Sequence, residues 1–195
     1  MTTYDVLPMP DAEVLFYPAL FAADESATLL DRLMDTIAWQ QQTLLMFGKP
    51  VLVPRLVAWY GDADKAYSYS GVTLQPLTWT PDLLTIRQRV ETIVETRFNS
   101  VLLNLYRDEK DSVGWHSDDE RELGVNPVIA SVSFGAERVF QFKHKTQPDI
   151  RHSITLTSGS LLLMRGATQH HWKHSLPKAK QPCGGRINLT FRVII

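Results

Sequence analysis

The sequence predicts an α+β fold in which two helices pack against an antiparallel sandwich or barrel of short strands. Three observations favour this class: two segments with helical periodicity lie in the first hundred residues, short apolar runs broken by turn residues follow Ser100, and the last ten residues alternate strictly between polar and apolar. The length of 195 residues suits a single domain, 1–195. No repeat, low-complexity tract or flexible linker divides the sequence.

Both helical segments carry an apolar stripe at 3.6-residue spacing. The first is expected to begin at an N-cap on Asp24 and to run to about Trp39. Its apolar positions are Leu29, Leu30, Leu33 and Ile37. The second has Thr80 as N-cap and Pro81 at the first helical position, and it should continue to about Arg97. Its stripe consists of Leu83, Ile86, Val90, Ile93 and Val94. We expect both helices to precede the sheet and to support it.

The strands are predicted from short β-rich runs. They are expected at 101–106, 128–134, 138–143, 154–157, 161–164 and 187–195. Close spacing with Gly and Asp turns between the runs is typical of an antiparallel sandwich or barrel. The segment 40–79 has no helical period, and residues 47–50 have the composition of a hairpin tip.

Composition excludes several classes of protein. No apolar run approaches the ~20 residues of a membrane span, and the first residues have neither the basic nor the apolar region of a signal peptide. The one cysteine, Cys183, cannot form an internal disulfide and agrees with a reducing compartment. We therefore expect an intracellular protein, cytoplasmic if bacterial and nuclear if eukaryotic, that is a monomer without a membrane partner.

The net charge of −1 conceals an uneven distribution along the chain. Residues 1–137 hold 10 Lys/Arg against 20 Asp/Glu, whereas residues 138–192 hold 10 Lys/Arg against Asp149 alone. The two parts therefore carry about −10 and +9. Such asymmetry indicates a polyanionic partner, although segments far apart in sequence can interleave in a sheet.

The final strand has one polar and one apolar face, because residues two apart in a strand point the same way. The polar face consists of Arg186, Asn188, Thr190 and Arg192, and the apolar face of Ile187, Leu189, Phe191 and Val193. A sheet can simply turn such a polar face to water. Two buried guanidiniums, in contrast, would require an anion.

A metal site is indicated by the triplet that contains His116 and Asp118. On extended backbone both side chains leave the same face, and a third ligand would complete a set of two histidines and one carboxylate, which suits non-haem iron(II). His174 is the favoured second histidine, with His170 and His171 as alternatives. Zinc is the alternative metal, but its catalytic sites keep fewer open positions and would leave the arginine face unexplained.

The arginine face and the metal site together suggest a ligand with two acidic ends. A five-carbon diacid can chelate iron at one end and form a charge-assisted pair with Arg186 or Arg192 at the other. Asn104 and Tyr106 share a strand face upstream of the metal triplet and could hold the same diacid. An ordinary polar pair at a sheet edge is the alternative for these two residues.

The order and spacing of these motifs resemble the AlkB family of Fe(II)- and 2-oxoglutarate-dependent dioxygenases. The resemblance covers at least 44–195. It is carried by Asn104-Leu-Tyr106, His116-Ser-Asp118-Asp-Glu120, Ser131-Val-Ser-Phe-Gly135, Gly159-Ser-Leu-Leu-Leu-Met164, His174-Ser-Leu-Pro177 and Arg186-Ile-Asn188-Leu-Thr190-Phe-Arg192. The segments Phe47-Gly48-Lys49, Val53-Pro-Arg55, Tyr60-Gly-Asp62-Ala and Tyr67-Ser-Tyr69-Ser70-Gly71 are similar to the homologue that repairs alkylated duplex DNA.

The resemblance implies a double-stranded β-helix, or jelly-roll, core over 100–195, buttressed by the two N-terminal helices. The segment 40–79 would form a nucleotide-recognition hairpin region. Iron would be bound by His116, Asp118 and His174. The 2-oxoglutarate co-substrate would be held by Asn104, Tyr106, Arg186, Asn188, Thr190 and Arg192, and which arginine takes which carboxylate stays open.

The resemblance also implies a set of substrate-binding residues. These are Phe47, Arg55, Tyr67, Tyr69, Ser70 and Glu120. Tyr69 and His116 would stack on a base flipped out of the duplex, and Phe47 would fill the space that the base leaves. Ordinary core packing is the alternative for Tyr67 and Tyr69.

Members of the family use O2 and 2-oxoglutarate to oxidise the N-alkyl carbon of a damaged base, and they release formaldehyde, succinate and CO2. We therefore expect a dioxygenase that repairs lesions such as 1-methyladenine and 3-methylcytosine in DNA, single-stranded or duplex, with RNA as a further candidate substrate. One alternative is a 2-oxoglutarate oxygenase that acts on a protein or a small molecule. The other is a non-enzymatic binding module built on a degenerate metal barrel.

Overall fold

The computed structural model describes residues 3–46, 49–65, 67–69 and 72–195, with the backbone alone described for 44–46, 67–69 and 72–74. The strands are β1 Asp5–Val6, β2 Glu13–Tyr17, β3 Gln40–Met46, β4 Lys49–Gly61, β5 Tyr67–Tyr69, β6 Val72–Leu74, β7 Ser100–Tyr106, β8 Val113–His116, β9 Ile129–Gly135, β10 Arg138–His144, β11 Arg151–Leu156, β12 Ser160–Arg165, β13 Trp172–Leu176 and β14 Arg186–Arg192. The helices are α1 Ala23–Thr36, α2 Pro81–Val94 and α3 Thr168–His171, and one 3-10 turn spans Arg121–Leu123.

Two antiparallel sheets face each other, as the predicted jelly-roll requires. The large sheet has the strand order β1-β2-β12-β9-β14-β7-β4-β3, and the small sheet has the order β11-β10-β13-β8. Strands β5 and β6 form a separate pair. Between the sheets lies an apolar core that includes Ile129 and Leu162 of the large sheet and Phe142, Leu156 and Trp172 of the small one.

The other face of the large sheet is covered by α1 and α2. Leu33 and Ile86 are fully buried there with Leu103 and Leu189 of the sheet. Burying each such side chain contributes about 1.5–3 kcal/mol, so this face supplies much of the stability. The predicted support of one sheet by two helices is confirmed. None of the described helices is long and apolar enough to cross a membrane.

The helix ends differ from the prediction at three of four positions. Helix α1 begins at Ala23 after an extended Ala22, so Asp24 lies in the first turn, where its charge complements the helix dipole, and is not the N-cap. The helix ends at Thr36 because Ile37 is extended. Thr80 is the N-cap of α2, and its Oγ1 accepts a hydrogen bond from the Leu83 N–H (3.3 Å). This helix ends at Val94 because Glu95 is left-handed (φ 56°).

All six predicted strands are present, with shifted ends. Outside the segment 40–79, four of the described strands were missed, namely β1, β2, β8 and β13. The expectation that both helices precede the sheet was wrong, because β1 and β2 come before α1 and occupy one edge of the large sheet, next to β12. The predicted hairpin is confirmed by pairing of Met46 with Lys49 in β3 and β4, while residues 47 and 48 lie outside the described residues. Strand β4 joins this hairpin to the sheet through β7.

Candidate metal and diacid site

Two histidines and an aspartate meet at the edge of the small sheet. His116 ends β8 and is the direct register partner of His174 in β13. Asp118 follows two residues later, and the three ligand atoms lie within 4.8 Å of one another. His116 Nε2 is 4.0 Å from Asp118 Oδ1, and the two imidazole centroids are 4.3 Å apart. We call this set the first cluster.

The alternatives for the second histidine point elsewhere. His170 Nε2 lies 2.9 Å from Asn126 Oδ1, and His171 stacks near His144 with ring centroids 5.9 Å apart. The fold therefore brings His174 to the His116 and Asp118 pair, as the sequence favoured.

The hydrogen bonds of His116 select the tautomer that can bind a metal. Its Nδ1 is 2.9 Å from the Gly114 carbonyl oxygen, which can only accept, so Nδ1 carries the proton. The lone pair is then on Nε2, the nitrogen that faces Asp118. Metal-binding histidines almost always use their second nitrogen in this way.

Asp118 is buried yet held as a carboxylate. Burial is the largest single influence and opposes its charge, but the Arg192 guanidinium and the neighbouring His174 and His116 together outweigh burial and keep the pKa of Asp118 below its ordinary value. Arg192 Nη2 donates to Asp118 Oδ1 at 2.8 Å. On the main chain, the Asp118 N–H donates to Gln169 Oε1 at 2.9 Å. The carboxylate is thus ionised and fixed in direction.

His174 is kept neutral by its surroundings. Burial, followed by the neighbouring His116 ring, lowers the pKa of His174 to about 3. Its ring stacks on Phe140 with centroids 5.3 Å apart. A neutral imidazole has a free lone pair, so His174 is ready to bind a metal at neutral pH without first losing a proton.

The large sheet carries a buried arginine on β14, the strand whose Arg192 contacts the first cluster. Arg186 is 2% exposed, and its Nη2 donates to Ser133 Oγ at 2.8 Å. Burial lowers the pKa of Arg186 to about 10, which still leaves it charged at neutral pH. In the described chain it forms no ion pair with a carboxylate, and its Nε is buried without a hydrogen-bond partner. A buried cation in this state requires an anion.

The remaining predicted diacid residues lie on the same inner face. Arg186 is opposite Tyr106 and Asn188 is opposite Asn104 in the β14 and β7 pairing. Asn188 Nδ2 donates to Ser131 Oγ (2.7 Å), and the Thr190 hydroxyl donates to Asn188 Oδ1 (2.9 Å). Protein partners therefore already engage Asn188 and Thr190. Ser131 and Ser133, which sequence reasoning gave no role, support this polar wall.

These residues fit both groups that the sequence suggested. The first cluster offers two imidazole nitrogens and one carboxylate, which is the ligand set of non-haem iron(II) oxygenases. Beside it, the Nε atoms of Arg186 and Arg192 are buried, and no described residue accepts from them. A diacid can supply the missing acceptors and compensate Arg186.

A cavity of about 440 Å³ opens onto the first cluster. His116, Asp118 and Arg192 line one part of it, and Trp59 and Leu102 contribute apolar surface. Such a mixture of apolar walls and a few convergent polar groups is typical of a small-molecule or base pocket.

Two predicted substrate residues line this cavity. Arg55 donates from Nε to Asn104 Oδ1 (2.6 Å) and from Nη1 to the Ser112 carbonyl (3.2 Å). Glu120 Oε2 is buried, without a partner among the described residues. Phe47 and Ser70 lie outside the described residues, and Tyr67 and Tyr69 are described by backbone alone, so their roles stay predictions.

Sequence reasoning missed the residues that hold the Asp118 segment in place. The Ser117 hydroxyl donates to the Trp172 carbonyl (2.9 Å), and Lys145 Nζ reaches both Asp119 Oδ2 (2.9 Å) and the Gln169 carbonyl (2.8 Å). Gln169 is 1% exposed and receives the Asp118 N–H. The only signal in the sequence was an amide side chain, Gln169, shortly before the strand that contains His174.

A second cluster of ligand type consists of Asp11, His144 and His171, whose ligand atoms also lie within 4.8 Å. His144, the last residue of β10, is 2% exposed and packs against Trp172. His144 Nε2 is 3.9 Å from Asp11 Oδ2.

Comparison with known proteins gives a consistent result. Residues 13–192 match the model of the 2OG-Fe(II) oxygenase superfamily. The chain is 43% identical over 196 residues to the rat alpha-ketoglutarate-dependent dioxygenase alkB homolog 3, covering 96% of this chain and 66% of that protein. It is 43% identical over 189 residues to the mouse DNA oxidative demethylase ALKBH2, covering 92% of this chain and 79% of that protein.

A solved structure described as "The structure of OsALKBH1" superposes with a TM-score of 0.68 over 98% of this chain and 100% of that chain. At 16% identity this likeness shows the jelly-roll fold alone. The family match and the identity to ALKBH2 and alkB homolog 3 reach further, because they extend over nearly the whole chain. The protein therefore belongs to the AlkB family of Fe(II)- and 2-oxoglutarate-dependent dioxygenases.

Proposed function

We propose that this protein removes N-alkyl groups from damaged DNA bases by oxidation with O2 and 2-oxoglutarate. The observation that carries the proposal is that the first cluster lies at the cavity lined by Arg55 and Glu120, while Arg186, on the strand whose Arg192 donates to Asp118, is buried without a carboxylate partner in the described chain. Relatives named DNA oxidative demethylase ALKBH2 agree with this substrate class.

His116, Asp118 and His174 would bind the iron. The His116 Nδ1–H bond to Gly114 and the neutral state of His174 present two nitrogen lone pairs, while Arg192 keeps Asp118 ionised. Iron with O2 and 2-oxoglutarate supplies the oxidising chemistry, and the protein supplies orientation and exclusion of water.

Arg186 would receive the carboxylate of 2-oxoglutarate that does not bind iron. Arg192 already donates to Asp118, whereas Arg186 has no carboxylate partner in the described chain, so Arg186 is the guanidinium that needs one. Tyr106 lies against it, with the guanidinium carbon 5.2 Å from the ring centroid, and limits where the diacid can sit. Because Arg186 is buried, its ion pair with this carboxylate would be shielded from water, and the electrostatic attraction would be stronger than at the surface.

Arg55 and Glu120 would read the damaged base. Glu120 Oε2 is a buried acceptor without a protein donor, so an exocyclic amino group of adenine or cytosine can satisfy it. Arg55 is tied to Asn104, which connects the base pocket with the wall that holds the diacid. The alkylated nitrogen would then point towards the first cluster.

The test is a lesion panel with purified protein, Fe(II) and 2-oxoglutarate. Oligonucleotides with 1-methyladenine or 3-methylcytosine, in single- and double-stranded DNA and in RNA, are followed by mass spectrometry together with formaldehyde and succinate. We expect repaired base, formaldehyde and succinate in equal amounts, and none with His116→Ala. Intact lesions in every polymer would contradict the proposal, and 2-oxoglutarate consumption without repair would indicate a protein or small-molecule substrate.

A further inference from the structure

Three cations lie side by side on the solvent face of the small sheet. Lys143 in β10 is the direct register partner of Arg151 in β11 and of Lys173 in β13. The next residues along the strands, Phe142 and His144, are buried against the core, so the three cations share the opposite face. We call Arg151, Lys143 and Lys173 the cation row.

The protein does not compensate this row. In the described part of the chain none of its members forms an ion pair, and Arg151 Nε donates only to the Pro148 carbonyl (3.1 Å). The neighbouring Lys145, in contrast, is paired with Asp119 at 2.9 Å. Like charges directly opposite each other destabilise a sheet, so the arrangement is unfavourable unless an external anion bridges it.

An exposed aromatic ring connects the row with the cavity. Trp115 in β8 is 38% exposed and also lines the cavity. Lys143 Nζ lies 5.0 Å from its ring centroid, so Trp115 adjoins the cation row directly. A polyanion that leaves the cavity can therefore cross the ring and reach the cations.

We propose that the cation row and Trp115 bind a single-stranded DNA segment that extends from the base in the cavity. The inference rests on the proposed function and adds the path of the polymer outside the pocket. The cations would contact consecutive phosphates, and Trp115 would stack on an unpaired base, the combination that single-strand binding proteins use. A paired base in a duplex cannot offer its face to the ring.

The phosphate contacts are tested by the salt dependence of binding. Lys143→Gln, Arg151→Gln and Lys173→Gln, singly and together, are compared with the unchanged protein for a single-stranded oligonucleotide of about 15 nucleotides. Each phosphate contact contributes about 0.7 to the slope of log affinity against log salt, so the triple variant should lose about 2. Arg97→Gln, at an exposed site beyond α2, is the matched control and should leave the slope unchanged.

The aromatic contact is tested by Trp115→Ala, which should weaken single-strand binding about tenfold, with Trp115→Phe recovering part of the loss. Repair of a lesion in a trinucleotide should be unchanged in the cation-row variants, so failure of the proposed function would be seen separately. Equal salt slopes for the triple variant and the unchanged protein would overturn the proposal. The proposal would also be overturned if these variants lost binding to duplex DNA, anionic vesicles or polyglutamate while their binding to single-stranded DNA stayed unchanged.

Discussion

The first and second clusters have the same composition, two imidazoles and a carboxylate, and in both the ligand atoms lie within 4.8 Å. Their hydrogen bonds differ. His116 Nδ1–H donates to the Gly114 carbonyl, which frees Nε2, whereas His144 Nδ1 accepts from the Gln147 N–H (3.2 Å), which places the proton of the neutral ring on Nε2. Proximity alone does not make a metal site, because the bond at the far nitrogen decides which lone pair is free.

Burial separates the clusters further. Asp118 is 3% exposed and aligned by Arg192 and Gln169, whereas the Asp11 side chain is 57% exposed. A buried, aligned carboxylate loses little entropy when it binds an ion, and an exposed one must first be ordered. The comparison therefore assigns the metal to the first cluster and a packing role to the second.

The largest effect should come from removing one ligand from each cluster. His116→Ala is expected to abolish repair, a loss of at least ~10³-fold, because no other described side chain can replace its nitrogen at the site. His171→Ala should leave repair within about twofold of the unchanged protein. Repaired base and bound iron are measured in both variants, with circular dichroism to check the fold. Equal losses would break the comparison.

The second prediction concerns Arg186, the buried guanidinium without a carboxylate partner in the described chain. Arg186→Lys retains a charge but loses the planar fork, so the 2-oxoglutarate concentration for half-maximal rate should rise roughly 30-fold or more. Arg165→Lys, whose guanidinium pairs with Glu13 at the surface, is the matched control. Titration of 2-oxoglutarate at saturating DNA measures the effect. A change in maximal rate with no change in half-saturation would argue against diacid binding at Arg186.

The third prediction concerns alignment of the carboxylate. Gln169→Leu removes the acceptor of the Asp118 N–H and should weaken Mn²⁺ binding about 10- to 100-fold, as loss of outer hydrogen bonds does at other metal sites. Met164→Leu is the control, because Met164 Sδ contacts the opposite side of the same amide (3.6 Å). Calorimetric titration measures affinity, and thermal unfolding reports structural damage. Equal affinities in the two variants would show that Gln169 serves packing only.

The sequence could predict the parts of the first cluster that depend on local spacing. His116 and Asp118 are two residues apart on extended backbone, and β14 has one polar and one apolar face because its outer side packs against helices. Helical periodicity likewise located α1 and α2. Each of these signals is contained within one element, so no knowledge of pairing was needed.

The remaining parts depend on contacts between distant elements. Strands β8 and β13 were missed because both their faces carry polar or aromatic groups, with Trp115 and Lys173 outside and the histidines inside, so no alternation is visible. The burial of His144 and the bond from Asp118 to Gln169 follow from the register of the small sheet. Local pattern cannot specify register between strands separated by long stretches of chain.

The fourth prediction uses pH. His174 stays neutral in the folded protein down to a pKa of about 3, but in the unfolded chain it binds a proton below about 6.5. The unfolded state therefore binds more protons in this window, and the free energy of unfolding falls as pH drops. In chelator, the stability difference between the unchanged protein and His174→Gln should shrink by about 1–2 kcal/mol from pH 6.5 to 5. Denaturant unfolding at each pH measures the free energy of unfolding of both proteins. A difference that stays constant between pH 6.5 and 5 would contradict the prediction.

The smallest effect is expected at the second cluster. With the first cluster disabled by His116→Ala, Zn²⁺ should not raise the melting temperature, because Nε2 of His144 carries a proton while the Gln147 N–H occupies Nδ1. A rise that His171→Ala removes would show that zinc can displace this proton, and the tautomer argument would fail. If the rise survives His171→Ala, the ion binds elsewhere and the contrast between the clusters stands. Thermal unfolding of the single and double variants, with and without chelator, separates these results.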